Sequence, residues 1–426
     1  MTFSSLRKTI NRLLLWSQKY TKTNMLYAAK GGFWLSANQI TTSTLGFVLS
    51  IAFARLLPPE NYGQYRYLLS LAEIFSAFSL SGMATALTQA VGEGQRGILS
   101  RSFWIHMKWC IPMSVGSLIG AAYYLVRGNT TLGISLLFIT ITLPFIKSGG
   151  LWEPYVQGKK LFKKNAIYQA LRYVVYVLIL FLLMLTTDNV VILVCGYLMS
   201  NAIMSLLLYG LAKRQTRGEA PQDLPTTVLS YAKHLSLMNV LGIAAAHLDK
   251  IIVFQFLGAA ELAIYSFATV LPEQVRNYLK RLPILALPTF ADRTLAEVKR
   301  SVFYKMKILL PFLGVCVLVY CLLAPFVYRL FFPAYVEAVP YSQLYSLSFL
   351  SYASLAIVAL TAHKAVKEKY IHDMTANVAT ILFALVLVIP YGIWGVLVGR
   401  LLAKALSFIL SAYLLQRLQD KTRENT

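Results

Sequence analysis

Twelve apolar stretches fill most of this chain of 426 residues. A helix needs roughly 20 apolar residues to cross the hydrocarbon core of a bilayer. Unpaired backbone groups are costly in hydrocarbon, and the stretches lack the alternation of barrel strands, so each is predicted to be helical. The sequence therefore predicts an all-α membrane protein with about twelve transmembrane helices. The predicted spans 1 to 12 cover residues 33–54, 67–90, 103–126, 132–156, 166–186, 190–212, 234–257, 262–288, 307–328, 341–362, 374–390 and 392–415.

Positive charge is distributed unequally between the two sides of the predicted bundle. The tail before span 1, the loops after spans 4, 6, 8 and 10, and the tail after span 12 carry many Lys and Arg residues, whereas the opposite loops hold Arg55, Arg66, Arg127 and Arg329. Because Lys and Arg are retained on the cytoplasmic side, both termini are predicted to be cytoplasmic. The same bias explains most of the net charge of +23, so the sequence predicts no nucleic acid partner.

The polar segments divide the chain into two lobes of six spans. Residues 31–212 form the first lobe, 213–233 a cytoplasmic linker with Gly218, Pro221 and Pro225, and 234–415 the second lobe around a central cavity. A shift of 200 residues lays 57–71 on 257–271 with thin identity. This pattern is typical of transporters built from parallel repeats, which bind cargo between the repeats near the midplane.

The two ends of the chain lie outside the predicted lobes. Residues 1–30 are basic, and their apolar run 13–16 is too short for a secretory signal. The spacing of apolar residues favours an interfacial helix on the inner leaflet over a disordered tail. Residues 416–426 are predicted to be a cytoplasmic tail.

Span 8 has an unusual concentration of charge for a membrane helix. Glu273, Arg276 and Lys280 are spaced i, i+3, i+7 and share one helix face, with Arg281 beside it. We interpret this face as a cationic wall for an anionic cargo, because the guanidinium fork matches phosphate oxygens. In the alternative, Lys280 and Arg281 extend to the cytoplasmic surface and Glu273 neutralises Arg276.

Spans 7 and 1 add further candidate residues. Asp249 and Lys250 are neighbours on a helix and point about 100° apart, which argues against a simple mutual salt bridge. Lys250 is a candidate cargo contact, and Asp249, like Glu273, is a candidate for ion coupling, although an interhelical structural pair would also explain Asp249. In span 1, Asn38, Gln39 and the terminal Arg55 are candidates for lining the cavity, although interhelical hydrogen bonds explain many such polar residues.

No motif in the sequence indicates catalysis or a metal site. The four cysteines lie in apolar spans without metal-ligand spacing, and no hydrolase, metalloprotease or phosphate-loop pattern occurs. The sequence therefore predicts a transporter without a cofactor.

Several short motifs resemble those of one transporter family. Residues 54–65, ARLLPPENYGQY, resemble the end of the first span in the polysaccharide-biosynthesis flippases, a branch of the multidrug and oligosaccharidyl-lipid/polysaccharide exporter superfamily. Residues 248–252, 323–338 and 391–395 resemble the seventh span, the ninth span with its loop, and the start of the twelfth. Each motif is degenerate, and their order and spacing carry the resemblance.

The resemblance implies a function as well as a fold. It implies a flippase in a bacterial inner membrane that moves an undecaprenyl-pyrophosphate-linked oligosaccharide by alternating access, for an O-antigen, capsule or exopolysaccharide. The pyrophosphate would be the ligand of the cationic wall, and the polymerase and chain-length-control proteins of the same pathway would be candidate partners. One alternative is a multidrug antiporter of the same superfamily, although residues 31–57 contain no acid. The other is an integral-membrane glycosyltransferase or polymerase, which would need longer outer loops.

Overall fold

The computed structural model describes residues 25–216, 219, 222–279, 290 and 294–418. These residues form helices and short connectors without a β-strand. Most of the predicted interfacial helix at 1–30 and of the tail at 416–426 lies outside the described residues.

Three of the first six spans begin at residues that favour helix starts. Span 2 begins at Pro59, and proline is favoured in a first helical turn because its missing N–H has no partner there. Asn129 and Asn189 cap spans 4 and 6 by accepting hydrogen bonds from backbone N–H groups. The spans are span 1 at Met25–Leu56, span 2 at Pro59–Ser76 and Met83–Gly92, span 3 at Leu99–Trp109 and Ile111–Val126, span 4 at Thr130–Gly149 and Trp152–Gly158, span 5 at Phe162–Thr186 and span 6 at Val190–Arg214.

The second six spans repeat this arrangement. A capping box of Thr294 and Glu297 starts span 9. Spans 11 and 12 form one helical run, Val366–Arg417, that breaks at Gly392 with φ 55° and ψ −133°, a conformation that glycine adopts at little cost. The other spans are span 7 at Thr226–Leu257, span 8 at Ala259–Leu279, span 9 at Leu295–Phe331 and span 10 at Pro333–Ala338, Val339–Ser346, Leu347–Ala353 and Ala356–Ala362.

Length and composition make this a multi-pass membrane protein. Within the described residues, nine helical segments are long and apolar enough to cross a membrane, and one of them, Val366–Arg417, contains two spans. Spans 2 and 8 are more polar than these nine, with Arg66 and Glu73 in span 2 and Glu273 and Arg276 in span 8. The prediction of an all-α membrane protein with about twelve spans is therefore confirmed.

The two lobes share a buried apolar cluster that reaches one end of the bundle. We call the end that carries the connectors after spans 1, 3, 5, 7, 9 and 11 the odd-loop end, and the opposite end the even-loop end. A buried apolar cluster shared by both lobes includes Tyr62 and Phe267, whose ring centroids lie 4.8 Å apart near the odd-loop end. Toward the even-loop end a cluster around Trp152 joins the first lobe to Ala232 of span 7, and the remainder of the second lobe has a separate cluster around Val298.

Close packing between spans 2, 7 and 8 seals the odd-loop end. Gly63 of span 2 lies against span 8, so that a Cβ atom there would stand 1.8 Å from the carbonyl oxygen of Ala259. The rings of Tyr67 and Phe254 stack with centroids 3.8 Å apart, and Gln255 donates a hydrogen bond of 2.7 Å to the Tyr67 hydroxyl. Spans 2 and 7 also touch further along, where the Gly82 N–H donates to Ser236 Oγ at 2.8 Å.

Candidate functional site

A polar cavity of about 560 Å³ lies between the two lobes. Spans 2, 4 and 6 of the first lobe and spans 7, 8, 11 and 12 of the second lobe line it, as the prediction of a central cavity required. A smaller cavity of about 260 Å³ adjoins it beside spans 1 and 5. Both cavities are lined by Arg66, Leu69, Tyr197 and Glu273.

Positive charge dominates the wall of the central cavity. Six basic side chains line it together with the carboxylates Glu73 and Glu273, and Asp249 beside the cavity pairs with two of the six, which leaves an excess of three positive charges. A cleft lined by one sign of charge raises the local concentration of oppositely charged ligands. The six are Arg66, Lys147, Lys250, Arg276, Arg400 and Lys404.

Arg66 is a cavity cation that was predicted to lie in an outer loop. Predicted span 2 began at residue 67, whereas the helix begins at Pro59 and Arg66 lies two turns inside it. Its Nε atom is buried without a hydrogen-bond partner, and no carboxylate of the described residues lies within the ion-pair limit of 4.0 Å. The Pro58-Pro59 pair was the available signal, because proline marks helix starts.

Arg276 lies in the same wall with a loose partner. Its Nη2 atom is 3.9 Å from Glu273 Oε1, and the two side chains are 28% and 31% exposed. This distance is longer than a charge-assisted hydrogen bond of about 2.7–2.9 Å. The guanidinium therefore keeps donors that can face a ligand in the cavity. Lys280 and Arg281, the other predicted members of the cationic wall, lie outside the described residues.

Asp249 lies beside the cavity in a saturated network that joins spans 7, 8 and 12. Its Oδ2 atom accepts hydrogen bonds from Arg400 at 2.7 Å and from the Tyr265 hydroxyl at 2.5 Å. Its Oδ1 atom accepts the Lys250 N–H at 2.8 Å, and the Lys250 Nζ atom lies 3.6 Å away. The side chain is 2% exposed. These contacts favour the structural alternative for Asp249 over ion coupling.

The prediction against a salt bridge between Asp249 and Lys250 is wrong. The neighbouring side chains were expected to point too far apart for a mutual salt bridge, yet the ammonium lies 3.6 Å from the carboxylate of Asp249. The long, flexible lysine stem spans the angular separation between adjacent helical positions.

We predict that Asp249→Asn destabilises the protein. The change leaves the Arg400 guanidinium, which is 10% exposed, without its nearest carboxylate, and breaking a buried ion pair costs about 3–5 kcal/mol. Equilibrium unfolding in mixed micelles should show this loss, and the paired change Asp249→Leu with Arg400→Leu should recover part of it. A variant with native stability but no transport would instead identify Asp249 as a coupling group.

A second carboxylate in the cavity is already neutralised. Glu73 of span 2 accepts a hydrogen bond of 2.9 Å from Lys147 of span 4, so this pair contributes no net charge. Lys404 of span 12 has a different environment, because its Nζ atom lies 5.9 Å from the ring centroid of Tyr352 and no carboxylate of the described residues is within 4.0 Å. The excess positive charge therefore comes mainly from Arg66, Arg276 and Lys404.

The candidates of span 1 lie elsewhere. Asn38 and Gln39 are not among the described residues that line the central cavity, and the Gln39 amide donates to Ser43 at 3.0 Å. Arg55 lies at the odd-loop end, where it donates a hydrogen bond of 2.8 Å to the carbonyl oxygen of Leu330. This carbonyl belongs to the last turn of span 9, where helical carbonyls lack intrahelical partners. Arg55 thus makes an interlobe contact in the structure, and its role as a cargo contact stays a prediction.

Solved transporters share this fold across nearly the whole chain. One is titled lipid II flippase MurJ in an inward closed conformation, with TM-score 0.64, 13% identity and coverage of 90% of this chain and 87% of that one. Another is an outward-facing multidrug resistance MATE family transporter of the MOP superfamily, with TM-score 0.61, 13% identity and coverage of 92% and 97%.

A third similar structure is a MOP superfamily transporter from Pyrococcus furiosus, whose title states that the reverse polarity of its binding pocket suggests a different function. It has TM-score 0.60, 13% identity and coverage of 91% of this chain and 97% of that one. A comparison with curated protein sequences finds no match. The family model described as polysaccharide biosynthesis protein matches residues 28–280. With more than half of its length matched, the chain belongs to the polysaccharide biosynthesis protein family.

Proposed function

We propose that the protein is a flippase that moves an undecaprenyl-pyrophosphate-linked oligosaccharide across a bacterial inner membrane, for the assembly of a surface polysaccharide. The proposal rests on the excess of three positive charges in a cavity between two lobes. Arginine forks bind phosphate oxygens in a bidentate manner, and Arg66 and Arg276 have donors that no close carboxylate occupies. The pyrophosphate is then the group that these two residues hold.

The charge of the cavity separates this proposal from a multidrug antiporter. An antiporter for cationic drugs needs carboxylates that face the cavity without partners, because desolvated cations require opposite charge. Here Glu73 is paired with Lys147 at 2.9 Å, and Glu273 lies between Arg276 and Arg400. The likeness to multidrug transporters therefore concerns the fold.

The connectors argue against an integral-membrane glycosyltransferase or polymerase. At the odd-loop end each connector between consecutive spans has at most three residues, as at 57–58, 127–129 and 187–189. Such short turns leave no room for an outer loop that could carry catalytic or sugar-binding residues.

The positive-inside rule gives the orientation in this proposal. The even-loop end carries the basic connectors and is cytoplasmic, and the lobes pack together at the odd-loop end, so the structure corresponds to an inward-facing state. This state receives the cargo from the inner leaflet. Rocking of the lobes about the cavity would then expose the same residues to the outer side.

We predict the orientation to be visible by cysteine labelling. In a background without the native cysteines, Lys163→Cys near the even-loop end should not react with a membrane-impermeant maleimide added outside intact spheroplasts, whereas Asp188→Cys at the odd-loop end should react. Labelling of residue 163 from outside would contradict the orientation. The native cysteines to be replaced are Cys110, Cys195, Cys316 and Cys321.

Binding of a soluble cargo analogue tests the proposed function. Calorimetry of the purified protein with a short-chain prenyl-pyrophosphate-linked oligosaccharide should show saturable binding that weakens as salt increases, because charge pairs are screened. A cationic dye of the multidrug class serves as the comparison ligand. Binding of the dye without binding of the anionic analogue would reject the flippase in favour of the antiporter.

A further inference from the structure

An apolar groove of about 360 Å³ lies between spans 9, 10 and 12 of the second lobe. Leu310, Leu401 and Phe408 are among the residues that line it, and Leu347 and Ile409 at its rim are 42% and 65% exposed. A groove of this size falls in the range of ligand pockets, about 300–1,000 Å³. Because exposed apolar side chains of a membrane helix face lipid, the groove opens toward the bilayer.

The shape of span 10 produces the groove. Span 10 changes from α-helix to a 3₁₀ turn at Leu347–Ala353, which is narrower than an α-helix and displaces the following side chains. Irregular backbone at membrane depth is tolerated where it lines a cavity. Ser348 in this turn is 1% exposed, and its hydroxyl oxygen is buried without a hydrogen-bond partner, although it lines the groove.

Lys404 connects the groove to the central cavity. It is the charged residue that lines the groove, and it also lines the central cavity. No carboxylate of the described residues lies within 4.0 Å of its ammonium. The groove is thus mainly apolar and has a cation and an unpaired buried hydroxyl among its lining residues, which is the composition that an anionic amphiphile requires.

We propose that this groove holds the hydrocarbon chain of the cargo next to its phosphate, which lies against Lys404. The inference rests on the proposed function and adds the place where the lipid leaves the cavity. A cargo whose head group enters the central cavity must keep its long chain in the bilayer, so the chain has to leave the cavity through an opening in its wall. Lys404 lines both the cavity and the groove, so the two spaces meet at its side chain.

The continuity of the two spaces selects the cargo over a bilayer phospholipid as the occupant. Both have a phosphate and apolar chains, but a phospholipid can fill the groove without using the cavity. The cargo alone combines a large polar head on the cavity side of Lys404 with a chain on the groove side. The hydrocarbon chain has apolar surroundings both in the groove and in the bilayer. The groove therefore fixes the position of the chain and adds little to the binding free energy.

Photocrosslinking tests the groove directly. The protein in lipid nanodiscs is labelled with a polyprenyl pyrophosphate that carries a photoreactive group in the isoprene unit nearest the phosphate, and the adducts are mapped by mass spectrometry. We expect adducts on the segments around Leu310 and Ile409. Filling the groove by Ala405→Trp should lower them on the order of tenfold, because the indole takes the space of the chain.

Three controls make the result decisive. Leu402→Trp places the same indole on a lipid-exposed position of span 12 outside the groove and should leave the adducts unchanged. Lys404→Gln should weaken labelling by the pyrophosphate probe on the order of tenfold, the effect of one charge-assisted contact, and should not change labelling by the uncharged prenol. Excess phosphatidylglycerol should not compete.

Two outcomes would overturn the inference. Adducts spread over the lipid-facing helices and unaffected by Ala405→Trp would show that the chain does not use the groove. Competition by phosphatidylglycerol would assign the groove to a bilayer lipid. The proposed function is tested separately by calorimetry with the short-chain analogue. That analogue binds through its head group in the central cavity and does not need the groove, so the two proposals can fail independently.

Discussion

Replacing Arg66 or Arg276 by Gln should lower translocation of the lipid-linked oligosaccharide about 10- to 150-fold at unchanged expression. Each change removes a full charge from the cavity wall and keeps hydrogen-bonding capacity, and hydrogen bonds to charged groups contribute about 1.5–3 kcal/mol. Arg66 has a buried Nε without a partner, and its loss breaks no ion pair among the residues that the structure describes. The measurement is export of the glycan in cells with limiting expression.

A matched arginine separates the cavity from general surface charge. Arg127→Gln removes the same charge at the odd-loop end, where the guanidinium lies 4.6 Å from the ring centroid of Tyr123, and should leave export at the native level. Lys at position 66 or 276 should be tolerated better than Gln, because lysine keeps the positive charge although it loses the bidentate guanidinium group. Native export in both Gln variants would show that these residues serve the fold.

Gly63→Ala should prevent the odd-loop end from closing. The added Cβ would stand 1.8 Å from the carbonyl oxygen of Ala259 and 2.6 Å from its carbonyl carbon, and backbone atoms cannot move aside as a flexible side chain can. We expect the closed population to fall at least about tenfold, which corresponds to only about 1.4 kcal/mol. Spin labels at Asp188 and Glu337, on the two lobes at this end, should report a longer separation, and export should fall with it.

Gly46→Ala is the matched control for this gate. Gly46 lies in span 1, where an added Cβ would meet its nearest neighbour, the Gln274 side chain of span 8, at 3.9 Å. Alanine favours a helix over glycine by about 1 kcal/mol, so both changes stabilise the isolated helix and differ only in the space available. An unchanged distance distribution in Gly63→Ala would mean that span 8 yields locally and that the contact is not a gate.

The sequence predicted the fold well because the bilayer imposes simple rules. Apolar length and the need to satisfy every backbone group determine a helical bundle, and the break at Gly392 lies at the predicted first residue of span 12. The breaks inside spans 2 and 10 were not predicted, since apolar composition continues across residues 77–82 and 347–353. Such irregularities depend on neighbouring helices.

The site was predicted only in part, for a related reason. Charges in apolar surroundings were visible in the sequence, so Lys250, Glu273 and Arg276 could be named as candidates. Arg66 was assigned to a loop because the polar residues near it lowered the local hydropathy, although Pro59 marked the helix start. The pairing of Asp249 with Arg400 joins positions 151 residues apart, and no local pattern shows such a contact.

Reconstituted translocation measures whether the protein moves the lipid-linked oligosaccharide and whether its cavity cations are needed. Proteoliposomes that contain the purified protein and a fluorescent undecaprenyl-pyrophosphate-linked oligosaccharide are exposed to a membrane-impermeant quencher, and the accessible fraction is followed over time. We predict translocation that depends on the protein, falls about 10- to 150-fold in Arg66→Gln and is unchanged in Arg127→Gln. Equal rates in empty liposomes, or in the native protein and Arg66→Gln, would contradict a flippase whose cavity cations hold the pyrophosphate.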